Sequence, residues 1–276
     1  MAPPLWSRLA LRPACNPHLL VVNKCFQRGL LPSPPRTRSI GGFIRLVATG
    51  FVLTAAGFLM TAGTSLEALG PIINPVTDEQ SLKLYEASRG VTEDIESTIN
   101  SHPVVLDLRQ NADFTESRPH LKIPPAFRDH NLTGGTLMGP GKVEVPPYAW
   151  SQKGGKSLVT ISYLGTDLCG HPGIVHGGFL ATMLDEGLAR CCFPALPHNV
   201  GMTANLNINY KSPAQAGSYV VLRATTTKVE GRKAWVEGRI ETLPRDGETP
   251  VVIADATGLF ISPRQAATMK RAYPIN

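Results

Sequence analysis

Between Cys169 and Phe193 the sequence CGHPGIVHGGFLATMLDEGLARCCF passes from a turn into one long helix, and any fold for the chain has to cover that helix. His171, Pro172 and Gly173 mark the turn, and His176-Gly177-Gly178 leads into the helix. Phe179, Leu180, Met183, Leu184, Leu188, Cys191 and Cys192 recur at helical spacing as a broad apolar stripe. Thr182, Asp185, Glu186, Ala189 and Arg190 share the more polar side, where Glu186 stands four residues before Arg190, placed for an ion pair. Pro194 closes the helix.

The two glycines bear on function. A helix start leaves backbone N–H groups without partners and carries partial positive charge. Without side chains at Gly177 and Gly178, a ligand's carbonyl oxygen can approach those donors, as an oxyanion site requires. Taken alone, the same glycines would equally let the helix pack tightly on a sheet. Asp185 is nine residues beyond His176, so it lies about 13 Å along an ideal helix and about 180° around it. One substrate carbonyl cannot reach both ends, so if both act on one substrate the site needs two chains.

Strands surround the helix in sequence. Ser157–Leu164 precedes it as SLVTISYL. After it, Thr203–Tyr210 alternates, with Ala204, Leu206, Ile208 and Tyr210 on one face and Thr203, Asn205, Asn207 and Asn209 on the other. Tyr219–Val229 and Arg232–Thr242 join through a tight hairpin at Glu230-Gly231, and Val251–Ile261 is the last strand. One strand, a long apolar helix and four antiparallel strands predict an α+β domain over 156–264, a curved sheet wrapped around the helix. A short tail, 265–276, follows.

Upstream the character changes twice. Residues 1–45 form a basic leader, and no Asp or Glu occurs before Glu67. Its seven basic residues are Arg8, Arg12, Lys24, Arg28, Arg36, Arg38 and Arg45; the other 20 of the 27 Lys and Arg face all 21 Asp and Glu. The net charge of +6 therefore belongs to the leader, which argues against nucleic acid as a partner. Arg-rich, acid-free and Ser/Pro-containing, it reads as a mitochondrial presequence. Residues 46–66 are uncharged over a bilayer's width, between Arg45 and Glu67. They suit an inner-membrane anchor, a sorting segment removed after import, or a packed helix. Residues 67–155 read as short helices, over Thr77–Arg89 and Val91–Asn100, and then a Pro/Gly-rich wrap.

The five cysteines have neither metal-type spacing nor a disulfide framework, and Cys191 and Cys192 read as small core residues. His171 and His176 have no third ligand nearby, so no metal is expected. Lys211, Arg232 and Lys233, at strand ends and turns, have the chemistry to meet phosphates, although exposed surface charge would look the same.

HPGIVHGGFLATMLDE, GMTANLNINYKSP and KVEGRKAWVEGRI, in that order and spacing, resemble the hotdog-fold acyl-CoA thioesterases, in particular the mitochondrial thioesterase-superfamily proteins of animals and their fungal relatives. The resemblance covers about Ser157–Pro263. It implies metal-free hydrolysis of coenzyme A thioesters, coenzyme A being part of the substrate rather than a cofactor. It further implies that the Gly177 amide polarises the carbonyl, with Gly178 beside it, and that Asp185 of the partner subunit acts as base or nucleophile. By the same resemblance Thr203 helps hold the water or carboxylate, and His176 orients the loop or the thioester. Where some relatives carry Asn or Gln before the HGG histidine, this chain has Gly170-His171, so His171 is a candidate substrate contact.

The resemblance thus implies a homodimer, or a dimer of dimers, and the basic leader with the uncharged 46–66 stretch places it in the mitochondrion, associated with the inner membrane. A hydratase of the same fold would want an Asp-plus-His pair on the loop–helix element, which is not arranged so here. A non-catalytic hotdog protein binding acyl-CoA or a partner at the inner membrane is the alternative.

Overall fold

A computed structural model of the chain describes residues 40–268 apart from Asp246, with the backbone alone described over 61–73. The expected leader up to residue 39 and the tail from 269 lie outside the described residues. The chain divides into two units between Ala55 and Ala56.

Helix α1 (Ile40–Ile73) starts at Ile40 rather than Leu46, so Arg45 lies inside the helix and not at its edge. Ile40–Met60 is long and apolar enough to cross a membrane, with none of that stretch buried. The Thr49 and Thr54 hydroxyls each donate back to the carbonyl four residues earlier at 2.8 Å, so they expose no unpaired donor.

The region expected to be a wrap does more than wrap. Helix α2 (Asp78–Lys83) is capped by Thr77, whose Oγ1 accepts from the Gln80 amide while Gln80 Oε1 accepts from the Thr77 amide. It stops at Lys83, short of the expected Arg89, and Tyr85 lies under the Arg118 guanidinium instead. Helices α3 (Val91–Ser101) and α4 (Pro103–Gln110) follow, then strand β1 (Phe114–Ser117), a 3-10 turn (Pro119–Lys122), the short α5 (Pro125–Arg128) and strand β2 (Tyr148–Gln152).

Strand β3 (Ser157–Leu164), the small hairpin β4 (Cys169–His171) and β5 (Ile174–Val175), and helix α6 (Gly177–Cys192) come next. The strands after the helix are β6 (Met202–Tyr210), β7 (Ser218–Glu230), β8 (Lys233–Thr242) and β9 (Val252–Ile261). Seven strands form one antiparallel sheet in the order β1-β2-β3-β7-β8-β9-β6. This is the hotdog arrangement, with α6 as its central helix, extended at one edge by β1 and β2.

Leu180, Leu184 and Leu188 of α6 are buried with Leu158, Leu164, Leu222, Val236, Ile240 and Phe260 of the sheet, which forms the main core. A second core lies on the other face, where Ile95, Ile99 and Val105 meet Tyr148, Trp150, Val159, Ile161 and Val221. Strand β3 is therefore buried on both sides, Leu158 and Leu164 toward α6 and Val159 and Ile161 toward α3 and α4. That explains its nearly continuous apolar reading.

Arg118 fastens the second layer. Its guanidinium donates to both Glu96 carboxylate oxygens at 2.6 Å and to the Pro146 carbonyl at 2.9 Å. It also stacks 3.8 Å from the Tyr148 ring, whose hydroxyl donates to Glu96. The side chain is only 3% exposed, so removing it strands a carboxylate in poor solvent. Arg118→Ala is expected to cost about 3 kcal/mol of folding stability, measured by chemical denaturation.

Candidate active site

The site is built at the two ends of one strand and along one helix. At the helix start, the β4–β5 hairpin turns through Pro172-Gly173, with Gly173 at φ +75°, and delivers His176 as the N-cap of α6. The His176 amide donates to the Leu168 carbonyl at 2.8 Å, and the amides of Phe179 and Leu180 donate to the His176 carbonyl. His176 Nδ1 accepts from the Gly178 amide at 2.9 Å. The Gly177 N–H is left without a partner among the described residues, in the first turn of a helix.

The glycines here separate into two kinds. A Cβ at Gly170 would come within 2.6 Å of His176 Cδ2, and one at Gly178 within 2.9 Å of Nδ1. These two make room for the imidazole. A Cβ at Gly177 would make only ordinary contact, 3.5 Å from the Tyr210 ring, so packing within the chain does not require glycine there.

Two turns along α6, Asp185 Oδ1 accepts a 2.7 Å hydrogen bond from Thr203 Oγ1. Strict alternation puts Thr203 on the face opposite Leu206 and Ile208, and the structure corrects this. Thr203 pairs with Phe260 and Asn205 with the next residue, Leu259, so Ala204 is the extra residue of a β-bulge. The bulge reverses the side-chain phase and turns Thr203 toward the helix, with Leu206 and Ile208. At the far end of the strand the Tyr210 hydroxyl donates to the Gly177 carbonyl at 2.8 Å. Thus β6 is tied to α6 at both ends, to Asp185 through Thr203 and to Gly177 through Tyr210.

Glu186 is committed elsewhere. Arg190 Nε donates to it at 3.1 Å, and His120 Nε2 stands 3.2 Å away on the other side. Burial disfavours its ionisation, but the positive charge of Arg190 and the His120 hydrogen bond outweigh that and hold the carboxyl well below its ordinary 4.5. Asp185 has no cationic partner among the described residues, which leaves it the freer acid of the pair. Burial pushes the Cys191 thiol up and the Cys192 thiol to about 12, so both remain neutral packing groups.

The remaining sequence candidates scatter. His171 is exposed in the β4–β5 hairpin, with no side-chain hydrogen-bond partner among the described residues. Lys211 follows Tyr210 at the Gly177 end of β6 and pairs with Asp255 at 3.2 Å. Lys233 lies at the opposite end, in one row with Ile261 and Met202, and beside it Arg232 donates to the Ser262 carbonyl at 2.6 Å. The three cations do not converge within one chain. Sequence reading missed Tyr210 and His120 as members of the site. Tyr210 ends the alternating run, but only the position of the helix shows what its hydroxyl reaches. For His120, within a Pro-rich stretch, no local signal exists.

Residues 172–248 match the model of the family described as the thioesterase superfamily. The chain is 33% identical over 203 residues to the UPF0644 protein PB2B4.06 of Schizosaccharomyces pombe, covering 72% of this chain and 74% of that protein. It is 29% identical over 166 residues to the uncharacterized mitochondrial membrane protein FMP10 of Saccharomyces cerevisiae, 59% of this chain and 64% of the relative. With the acyl-coenzyme A thioesterase THEM4 of Mus musculus it shares 40% identity over 106 residues, 38% of this chain and 43% of that enzyme. The first two alignments are longer than the hotdog segment, so they take in part of the preceding region.

The state of Glu186 is open to test. Its carboxyl in the folded chain titrates below the ordinary 4.5, so the stability that it contributes is complete above that value and is lost as pH falls below it. The melting-temperature advantage of the wild type over Glu186→Gln is expected to be full near pH 6 and to shrink steadily from about pH 5 to about pH 3.

Proposed function

This chain belongs to the thioesterase superfamily, and from that premise we propose that it hydrolyses acyl-coenzyme A thioesters at a site completed by two copies of the chain. The observation that carries the reading is the Asp185–Thr203 hydrogen bond, set on the same helix as the unpartnered Gly177 amide.

In this reading the Gly177 N–H, helped by the partial positive charge of the helix start, receives the thioester carbonyl oxygen as it becomes anionic. Asp185, its carboxylate oriented by Thr203, takes a proton from water as the water oxygen bonds to the acyl carbon. The C–S bond then breaks, the proton passes to the thiolate, and free acid and coenzyme A leave. Direct attack by the carboxylate, through an acyl–aspartate anhydride that water opens, uses the same atoms. Neither route calls on a metal or cofactor.

Two chains are needed because Gly177 and Asp185 are eight residues apart on one helix, about 12 Å along its axis. Each must come within about 3 Å of the same reacting group. Strand β6 supplies the means. It is a nine-residue edge strand, mostly exposed, with one backbone edge unpaired among the described residues. Two-fold antiparallel pairing of β6 with its copy would set the Thr203 end of one chain against the Tyr210 end of the other. Asp185 of one chain would then face Gly177 of its partner. The same pairing would bring Lys211 of one chain toward Arg232 and Lys233 of the other, where the coenzyme A phosphates could be met.

We place the enzyme in the mitochondrion, at the inner membrane, with 1–45 as the leader, 46–66 within α1 as the anchor, 67–155 as the covering layer and 156–264 as the catalytic domain. The apolar Ile40–Met60 segment and the likeness to a mitochondrial membrane protein support this placement.

Gly177→Pro removes the critical N–H at a helix position where proline is tolerated, after a His176 whose φ −62° and ψ 128° suit a following proline. Gly177→Pro and Asp185→Asn are each expected to lower kcat at least about 100-fold in a thiol-release assay over acetyl- to palmitoyl-CoA, with folding retained. Co-expression of the two variants is expected to restore turnover that neither has alone, since a mixed dimer keeps one intact site. No recovery would rule out the shared site. Saturable acyl-CoA binding without thiol release by the wild type would favour a binding protein.

A further inference from the structure

One peptide unit at the start of α6 is held from both sides. Its carbonyl, Gly177 C=O, accepts from the Tyr210 hydroxyl at 2.8 Å, and its amide, Gly178 N–H, donates to His176 Nδ1 at 2.9 Å. Donation to a carbonyl polarises the N–H of the same amide, so each bond strengthens the other. An imidazole whose Nδ1 accepts must, when neutral, carry its proton on Nε2. His176 is exposed, and its Nε2 has no partner among the described residues. The ring edge is boxed by Gly170 and Gly178, where side chains would collide with it.

We propose that Tyr210 is a positioning residue: through the Gly177–Gly178 peptide, its hydroxyl holds His176 in the tautomer that presents an Nε2–H donor at the same helix end as the free Gly177 amide. The site would then offer two donors to the substrate, one from the backbone and one from the ring. The inference rests on the hydrolase reading for its kinetic consequence but not for its structural content. Its peculiarity is that Tyr210 acts at one remove. The residue sits at the end of the edge strand, 54% exposed, yet controls a proton on a ring that its hydroxyl does not touch.

Tyr210→Phe keeps the ring against Gly177 and removes only the hydroxyl. His176→Asn keeps an N-cap acceptor for Gly178 and removes the ring donor. With the full chain in detergent and the acyl-CoA that it turns over fastest, Tyr210→Phe is expected to lower kcat about tenfold while KM stays within about twofold. In the His176→Asn background the same change is expected to add less than about twofold, because the ring it serves is gone. Losses that multiply in the double variant, or a Tyr210→Phe kcat equal to wild type, would overturn the proposal. If the wild type hydrolyses no acyl-CoA, the hydrolase reading falls and imidazole 15N spectra still decide this one. A single Nε2–H tautomer at His176 that becomes mixed in Tyr210→Phe supports it, and identical spectra reject it.

Discussion

The apolar side of α6 cannot be left in water, and most of the molecule follows from covering it. Leu180, Leu184, Leu188 and the Cys191–Cys192 pair are buried against five strands, β3, β7, β8, β9 and β6. Covering a helix from β3 round to β6 requires a curved sheet, and the curve leaves β6 as an open edge. Burial at about 25 cal/mol per Å² makes this the dominant favourable contribution to the fold. The polar side of the same helix is thereby turned away from that core, with Glu186 and Arg190 meeting His120 of the covering layer and Asp185 meeting Thr203.

The site inherits its precision from this packing. A helix start gives donors of fixed direction, and a helix with a packed core beneath it cannot roll to move them. The two ends of strand β6 then hold the start and the middle of the helix, Tyr210 at Gly177 and Thr203 at Asp185. These bonds cross the boundary between core and edge, where the fold also remains open to a second copy. The half-buried Glu186, held by Arg190 and by His120 from the covering layer, fixes the neighbouring turn and leaves Asp185 as the acid not engaged by a cation.

The covering layer has a different physical basis. Strands β1 and β2 widen the sheet beyond the helix, and their far face needs α3 and α4. Arg118, with Glu96 and Tyr148, fastens that layer with a buried charge pair rather than more apolar area. A wrap expected only to run over the surface is thus part of a second core, because Trp150 and Tyr148 on β2 are buried on the side away from α6. No periodicity could announce this. The strands are short, separated by a 3-10 turn and the short α5, and each carries too few residues for alternation to register.

Local pattern, then, determined the long helix after His176-Gly177-Gly178, the placing of Asp185 beyond one chain's reach of Gly177, the strands flanking the helix and the Glu186–Arg190 pair. All of these depend on residues within a few positions of each other, where backbone geometry alone sets who shares a face. Tertiary structure decided the rest. Thr203 faces Asp185 only because Ala204 bulges, and a bulge is a property of how β6 registers on β9, not of β6 by itself. His120 reaches Glu186 across 66 positions and Tyr210 reaches Gly177 across 33. Contacts at that separation are set by which elements pack together, and periodicity shows which face an element buries but not what it is buried against.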